Sequence, residues 1–320
     1  MKKLKRGLFT IPFLLLLCSC SQSTPPPSTA TPTPIPSRYS KISETVEKMG
    51  PDNDQLPPVL HSTEWEEPIP MPGLINTPGG EDSPFITPDG KDFYFFFTPD
   101  VSIPAEKQVL DGVTGIYQSR WVNDSWADPE RVILNDDLAL DGCPFVLGNQ
   151  LWFCTARVVY TGLHWFKAYY ENGAWGSWEL EDFIPLYDVG ELHITADGKE
   201  LYYHSSQGGG LGANDIWVSR KENGSWGEPH NLILVNSQED DSRPFVSEDG
   251  QQLWFTRTYQ GYPAVFLSYK ENGIWQEPIL IVSQFAAEPT LDNAGNLYFI
   301  HHFIWDGVML DADVYLAKKK

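Results

Sequence analysis

One phrase, written four times with small changes, constrains this chain more than any other feature. It reads Asn123-Asp-Ser-Trp-Ala-Asp-Pro129, Asn172-Gly-Ala-Trp-Gly-Ser-Trp178, Asn223-Gly-Ser-Trp-Gly-Glu-Pro229 and Asn272-Gly-Ile-Trp-Gln-Glu-Pro278. Each copy opens on Asn-Gly or Asn-Asp, a tight-turn signal, and follows an alternating segment such as Asp215-Ile-Trp-Val-Ser-Arg220 or Ala264-Val-Phe-Leu-Ser-Tyr269. The phrase is therefore the turn of a hairpin whose last strand begins at the Trp.

Units open in a second recurring way. Ser83-Pro-Phe-Ile-Thr-Pro-Asp-Gly-Lys-Asp-Phe-Tyr-Phe95, Leu192-His-Ile-Thr-Ala-Asp-Gly-Lys-Glu-Leu-Tyr-Tyr203 and Arg243-Pro-Phe-Val-Ser-Glu-Asp-Gly-Gln-Gln-Leu-Trp-Phe255 place an Asp-Gly turn between two short apolar strands, with weaker copies at 143–153 and 288–299. Four strands per unit follow, and aligned openings at Pro84, Pro144, Leu192, Pro244 and Pro289 lie 60, 48, 52 and 45 residues apart. The predicted fold is all-β: a five-bladed β-propeller with four-stranded blades. The fifth unit runs out of chain after Asp311 to Lys318, and its missing Trp strand stands at the other end as Thr63-Glu-Trp-Glu-Glu-Pro-Ile69. An N-terminal strand around 63–69 is thus expected to complete the last blade and close the ring, removing exposed edges. A six-bladed ring is the less favoured count, since 41–60 is poor in strand signals.

The motif Pro-x-x-Ser/Thr-x-Asp-Gly-x-x-Leu-Tyr-Phe, followed by Asp-Ile-Trp-x-Ser and Gly-x-Trp-Gly-x-Pro, resembles the WD40-like repeats of bacterial periplasmic and surface propellers, which also occur in TolB-type proteins. The resemblance covers roughly residues 63 to 318. It implies the fold; it does not choose among binding modules, interaction domains and enzyme-associated domains.

The N-terminus reads as an export signal. Lys2, Lys3, Lys5 and Arg6 precede an apolar run from Leu8 to Leu17, too short for a membrane span. Leu17-Cys18-Ser19-Cys20 resembles the lipobox of bacterial lipoproteins, which implies lipidation at Cys20; an ordinary cleaved signal is the alternative. Ser21 to Ser37 is almost all Ser, Thr and Pro, a spacer that cannot build a core. The expected organisation is a signal peptide at 1–19, lipidated Cys and tether at 20–38, an extended lead-in at 39–62 and the propeller at 63–320. Ser21 is not the aspartate of inner-membrane retention, so the outer membrane or the cell surface is expected.

Without its leader the chain keeps 18 Lys+Arg against 43 Asp+Glu, a formal charge near −25. Such a field repels a nucleic-acid backbone. Cys143 and Cys154 sit opposite one another if Gly148-Asn149 is the hairpin turn, and export permits a disulfide. A one-residue change in the turn would leave two buried thiols instead.

In a propeller, residues just before each first strand share a face with the loops between second and third strands. The first set is acidic: Glu81, Asp82, Asp141, Glu191, Asp240, Asp241 and Glu288. The second contains Arg157, Tyr160, His164, His204, Gln207, Arg257, Tyr259, His301 and His302. Trp165 and Trp305 fit no repeat and are candidates for ligand contact, whereas Trp126, Trp175, Trp226 and Trp275 recur once per unit and should pack between blades. A glycan or envelope-protein partner is the first expectation, with Asp241, Arg157, His204, Arg257, His301, Trp305 and Trp165 as ligand contacts and a monomer as the oligomeric state.

The alternative is a glycoside hydrolase. Blade count and acid placement are similar to five-bladed glycosidases, whose sites are three carboxylates from different blades. That resemblance implies Asp82 or Asp141 as base or orienting carboxylate and Glu191 or Glu288 as acid. The acids do not occupy equivalent positions in their openings, and no Arg-Asp-Pro opening is present, so whether the chain is an enzyme stays open here. Acidic residues pairing with Arg157 and Arg257 in a structural role are equally compatible with the sequence. No His-x-x-x-His spacing marks a metal site, no cofactor is expected, and the charge would favour at most a structural calcium ion.

Overall fold

Each Asn of the repeated phrase takes the left-handed backbone conformation that a two-residue hairpin turn demands, with φ of 52° at Asn123, 53° at Asn172, 51° at Asn223 and 49° at Asn272. Beyond the turn, the Trp pairs back onto the third strand of its unit: Trp121↔Trp126, Tyr170↔Trp175, Lys221↔Trp226 and Lys270↔Trp275. The third-strand Ser of the motif has a local task. Ser119, Ser219 and Ser268 each donate their hydroxyl to the carbonyl just after the Trp, at Ala127, Gly227 and Gln276. The opening motif is similarly wired: Thr87, Thr195 and Ser247 donate to the turn aspartates Asp89, Asp197 and Asp249, which accept in turn from the backbone N–H of Lys91, Lys199 and Gln251.

A computed structural model of the chain describes residues 36–134, 139–157, 160–181 and 189–320. The expected signal peptide, Cys20 and most of the tether lie outside these. Among the described residues the protein is all-β, with helix confined to the 3-10 turns Arg38–Lys41 and Ala105–Lys107, and no helix is long and apolar enough to cross a membrane.

The strands of the described residues form four sheets, the largest of which joins two antiparallel groups through a parallel bridge between Ala312 and Gly80. The sequence repeats mark out five stretches along them, called units. Unit 1 is Gly80–Ile86, Asp92–Thr98 and Gly115–Val122, with Ser125–Trp126 and Glu130–Arg131 outside. Unit 2 is Ala139–Leu147, Gln150–Arg157, Tyr160–Glu171 and Ala174–Leu180; unit 3 is Leu192–Ile194, Glu200–Ser205, Asp215–Glu222, Ser225–Trp226 and His230–Asn231. Unit 4 is Asp241–Val246, Gln252–Tyr259, Tyr262–Glu271, Ile274–Trp275 and Ile279–Ser283. Unit 5 is Ala286–Leu291, Leu297–Trp305 and Val308–Ala317, and its outer strand comes from the N-terminal side: Ile69↔Leu316 and Pro70↔Tyr315. Trp65 bridges Lys319. The ammonium of Lys319 lies over the Trp65 ring as that of Lys221 lies over Trp226 and Lys270 over Trp275.

First strands of successive units pack side by side, unit 3 on 4, 4 on 5, 5 on 1 and 1 on 2. Units 2 and 3 meet where Trp165 Nε1 donates to the Gly190 carbonyl at 3.0 Å and Phe145 packs on His193. Aromatic and aliphatic side chains of adjoining units fill the space between sheets, Phe153, Phe166, Trp254 and Phe299 among them.

Residues 36–58 hold to the sheets through buried polar contacts. Arg38 is buried, donating to the Ile75 and Leu74 carbonyls and pairing with Glu81 at 3.2 Å. Lys48 pairs with Asp311 and Asp313, and Asp54 with His301 at 2.8 Å. The segment expected to be an extended lead-in is thus docked on units 1 and 5, because it carries the cations that pair with their buried acids and the Asp54 carboxylate that hydrogen-bonds His301.

Cys143 and Cys154 form a disulfide with Cα atoms 5.5 Å apart. The register explains the pairing: Gly142 faces Cys154, and the ladder shifts between Gly142 and Phe145, bringing Cys143 over its partner.

Candidate functional site

The shift at Cys143 belongs to a repeated device. The ladder slips between Asp82 and Phe85, Gly142 and Phe145, Ser242 and Phe245, and Ala287 and Thr290. At each slip the residue before the Pro is left-handed: Ser83 (φ 48°), Cys143 (49°), Arg243 (55°) and Glu288 (56°). For a residue with a Cβ this conformation costs about 1–2 kcal/mol, and such bulges re-aim a side chain out of the strand's alternation. With Glu191, which precedes Leu192 in unit 3, these residues line one opening of about 60 Å³ together with Trp165 and the Pro residues.

The chemistry of the opening centres on Arg243. Its Nε lies 2.6 Å from Glu288 Oε1 and 3.1 Å from Glu191 Oε1, joining acids from units 3 and 5 through a base from unit 4. Asp82 of unit 1 completes the group, close enough that its charge raises the pKa of Glu288. Burial raises the pKa of Asp82, against the lowering charge of Arg243. Burial and then the Glu288 charge push Glu191 up to about 8; burial and then the Asp82 charge push Glu288 up to about 7. Three carboxyl groups around one guanidinium cannot all be ionised cheaply, so protons are retained near neutrality.

Two uncharged imidazoles flank the group. His204 Nδ1 accepts from the Arg243 backbone N–H at 3.2 Å. Gly190 is required beside it, since a Cβ there would sit 2.1 Å from His204 Nε2. Burial, reinforced by Arg243, lowers the pKa of His204 to about 4 and that of His302 to about 3.

The structure therefore brings Asp82, Glu191 and Glu288 together, with His204 beside them and Trp165 on the wall. It puts the other candidates elsewhere. Asp141 is held by Arg157 at 2.9 and 3.1 Å, and Asp241 by Arg257 at 2.6 Å. Both guanidiniums are stacked on ring faces, Arg157 over Phe153, Phe166 and Trp178, Arg257 over Phe255 and Phe266. Arg38 and Glu81 make the same arrangement in unit 1. These acids stand three residues before the aligned Pro, inside the sheet, where an unpaired charge would be costly; their partner is structural. His301 is fully buried between Phe303 and Tyr315 and is tied to Asp54. Strand alternation turns it away from the side of His302. Trp305 is 57% exposed on the tip of the unit 5 hairpin. Arg243 escaped sequence reasoning. The available signal was its place directly before Pro244, where the other units carry Ser83, Cys143, Glu191 and Glu288.

Neither a family model nor a curated protein matches the sequence. Among solved structures, the chain is similar to an alpha-L-arabinofuranosidase from Lactobacillus brevis (11% identity, 78% of this chain and 92% of that one, TM-score 0.47). It is also similar to TolB from Acinetobacter baumannii (15% identity, 77% of this chain, TM-score 0.43), of which it spans 57%. A protein of unknown function from Dyadobacter fermentans is matched at 12% identity over 74% of this chain and 75% of that one, with a TM-score of 0.42. Among the described residues no group of three or more His, Cys, Asp or Glu is arranged to hold a metal ion.

Proposed function

We propose that the chain is an exported five-bladed β-propeller, lipid-anchored through Cys20 at the outer membrane or cell surface, that binds a glycan at the opening around Arg243. The five units are its blades, and the Trp65 to Pro70 segment closes the ring by completing the fifth. Support for that architecture comes from the side-by-side packing of first strands, with unit 5 against unit 1, and from the equivalence of Trp65↔Lys319 to the other Trp pairs.

The observation that carries the binding reading is the position of Arg243 between Glu191 and Glu288. Two-carboxylate hydrolysis needs a gap of about 5–10 Å between the acids to hold the sugar and, in the inverting case, a water. Here a guanidinium fills the gap between these two. Partly protonated carboxyls, a guanidinium and the neighbouring Trp165 instead offer rigid donors, acceptors and an aromatic wall, which suit sugar hydroxyls and ring faces. One observation favours hydrolysis as the second reading: Glu191 of unit 3 keeps its proton up to about pH 8, and the Asp82 charge of unit 1 is near enough to interact with it. Glu191 would then be the acid and Asp82 the base.

The test is incubation of the purified protein with plant and microbial oligosaccharides, reading retention and products together by mass spectrometry. Binding predicts retention of one glycan class, no products, and loss of retention in Arg243→Gln. Products that vanish in Glu191→Gln would replace the binding reading with the hydrolase. No retention and no products would reject both and turn attention to an envelope protein as partner.

A further inference from the structure

Behind the opening lies a second cavity, of about 360 Å³, within the size range of small-molecule sites. Phe85, Phe145, Ile194, Phe245, Val246 and Leu291 supply its apolar walls, and its mouth lies at the Asp-Gly turns, where Glu248, Asp249 and Asp292 stand. His193 lines both this cavity and the smaller opening, and so sits at the depth where the two meet.

His193 is only 9% exposed and its ring lies between Phe145 and Phe245, with centroids 5.2 and 4.6 Å away. Nδ1 accepts from the Val246 backbone N–H at 3.2 Å, so Nδ1 carries no proton. Burial lowers the pKa of the imidazole to about 3 and keeps it neutral, which places the proton on Nε2. Nε2 has no hydrogen-bond partner among the described residues and is not one of the polar atoms sealed from solvent. A neutral imidazole wedged between two phenyl rings thus keeps one N–H donor unused on a residue that lines this cavity.

We propose that this cavity binds a small, neutral, largely apolar molecule through one acceptor atom that takes the hydrogen bond of His193 Nε2–H. The walls select an apolar body. Three carboxylates at the mouth and a formal net charge of −21 on the chain repel anions. A cation would meet an N–H donor head-on at the bottom. This site opens at the far ends of the first strands from Arg243 and stands whether or not that opening takes a glycan.

Acetophenone, with ethylbenzene as its carbonyl-free counterpart and benzoate as an anion, tests the proposal by saturation-transfer NMR titration of the whole protein. We expect saturable acetophenone binding, about tenfold weaker binding of ethylbenzene, as loss of one buried hydrogen bond implies, and no benzoate binding. His193→Phe keeps the ring stack and removes the donor, and should bring acetophenone down to the ethylbenzene level. Ala196→Trp, an exposed change at the mouth, should abolish binding without touching the core, and decides the question if His193→Phe does not fold. Absence of saturable acetophenone binding, equal affinity for ethylbenzene, or binding unchanged in Ala196→Trp would overturn the proposal.

Discussion

Glu191, Glu288 and Asp82 would repel one another in any fold that brought them together without Arg243, and their retained protons make stability depend on pH. Glu191 ionises near 4.5 in an ordinary setting and near 8 here. Below about 4.5 both folded and unfolded chains hold the proton, so the group has no effect on stability. Between about 4.5 and 8 the unfolded chain gives the proton up while the folded one keeps it, so stability falls with rising pH and levels off above 8. Glu191→Gln removes that term. The variant's melting temperature should therefore fall less steeply than the wild type's between pH 4.5 and 8, with part of the slope left because Glu288 and Asp313 are raised in the same sense, each to about 7. Parallel melting curves across that range would show that Glu191 is not protonated in the folded protein. The acids were legible as residues lying before first strands. Which of them meet was not, because one or two positions along a strand separate the left-handed bulge that aims Glu288 outward from the in-sheet position that commits Asp241 to Arg257.

At the scale of a strand, the informative element is the short segment from Trp65 to Pro70. Trp65 is 2% exposed, donates its Nε1–H to the Gly295 carbonyl at 2.9 Å, and packs edge-on against Trp254 at 5.4 Å. It therefore ties unit 5 to unit 4 across a sequence separation that no local turn could bridge. Replacing it with Ala removes a large buried aromatic and the contact that pins this segment to units 4 and 5, a loss of about 3–5 kcal/mol. Chemical denaturation of Trp65→Ala should report a loss in that range; a midpoint within error of the wild type would mean that this segment contributes nothing to stability through Trp65. The Trp series was readable because its period and its Asn-Gly or Asn-Asp turn repeat. The bulges were hidden, since Ser, Cys, Arg and Glu share no side-chain property that announces a left-handed backbone.

For the whole molecule, residues 36–58 matter more than their composition suggests. They supply Arg38 to Glu81, Lys48 to Asp311 and Asp313, and Asp54 to His301, all of which are buried in units 1 and 5. Removing one member of a buried pair strands its partner's charge, at a cost of about 3–5 kcal/mol for a well-buried pair. A chain beginning at residue 59 should consequently melt well below one beginning at residue 36 and lose most of the difference at low pH, where the stranded carboxylates become neutral. Equal melting temperatures would make the segment dispensable. What the sequence by itself determined is everything that repeats locally: the hairpins, the Asp-Gly and Asn-Gly turns, the five openings and the orphan Trp strand at the N-terminal end. These follow from backbone preferences and alternation within about a dozen residues. Only the tertiary structure decided that Asp141 and Asp241 are neutralised within their own sheets, that Arg243 gathers Asp82, Glu191 and Glu288, and that Arg38 to Asp54 is part of the fold. Those outcomes depend on which charges are close after packing, and burial makes the pairing obligatory only once distant units have come together.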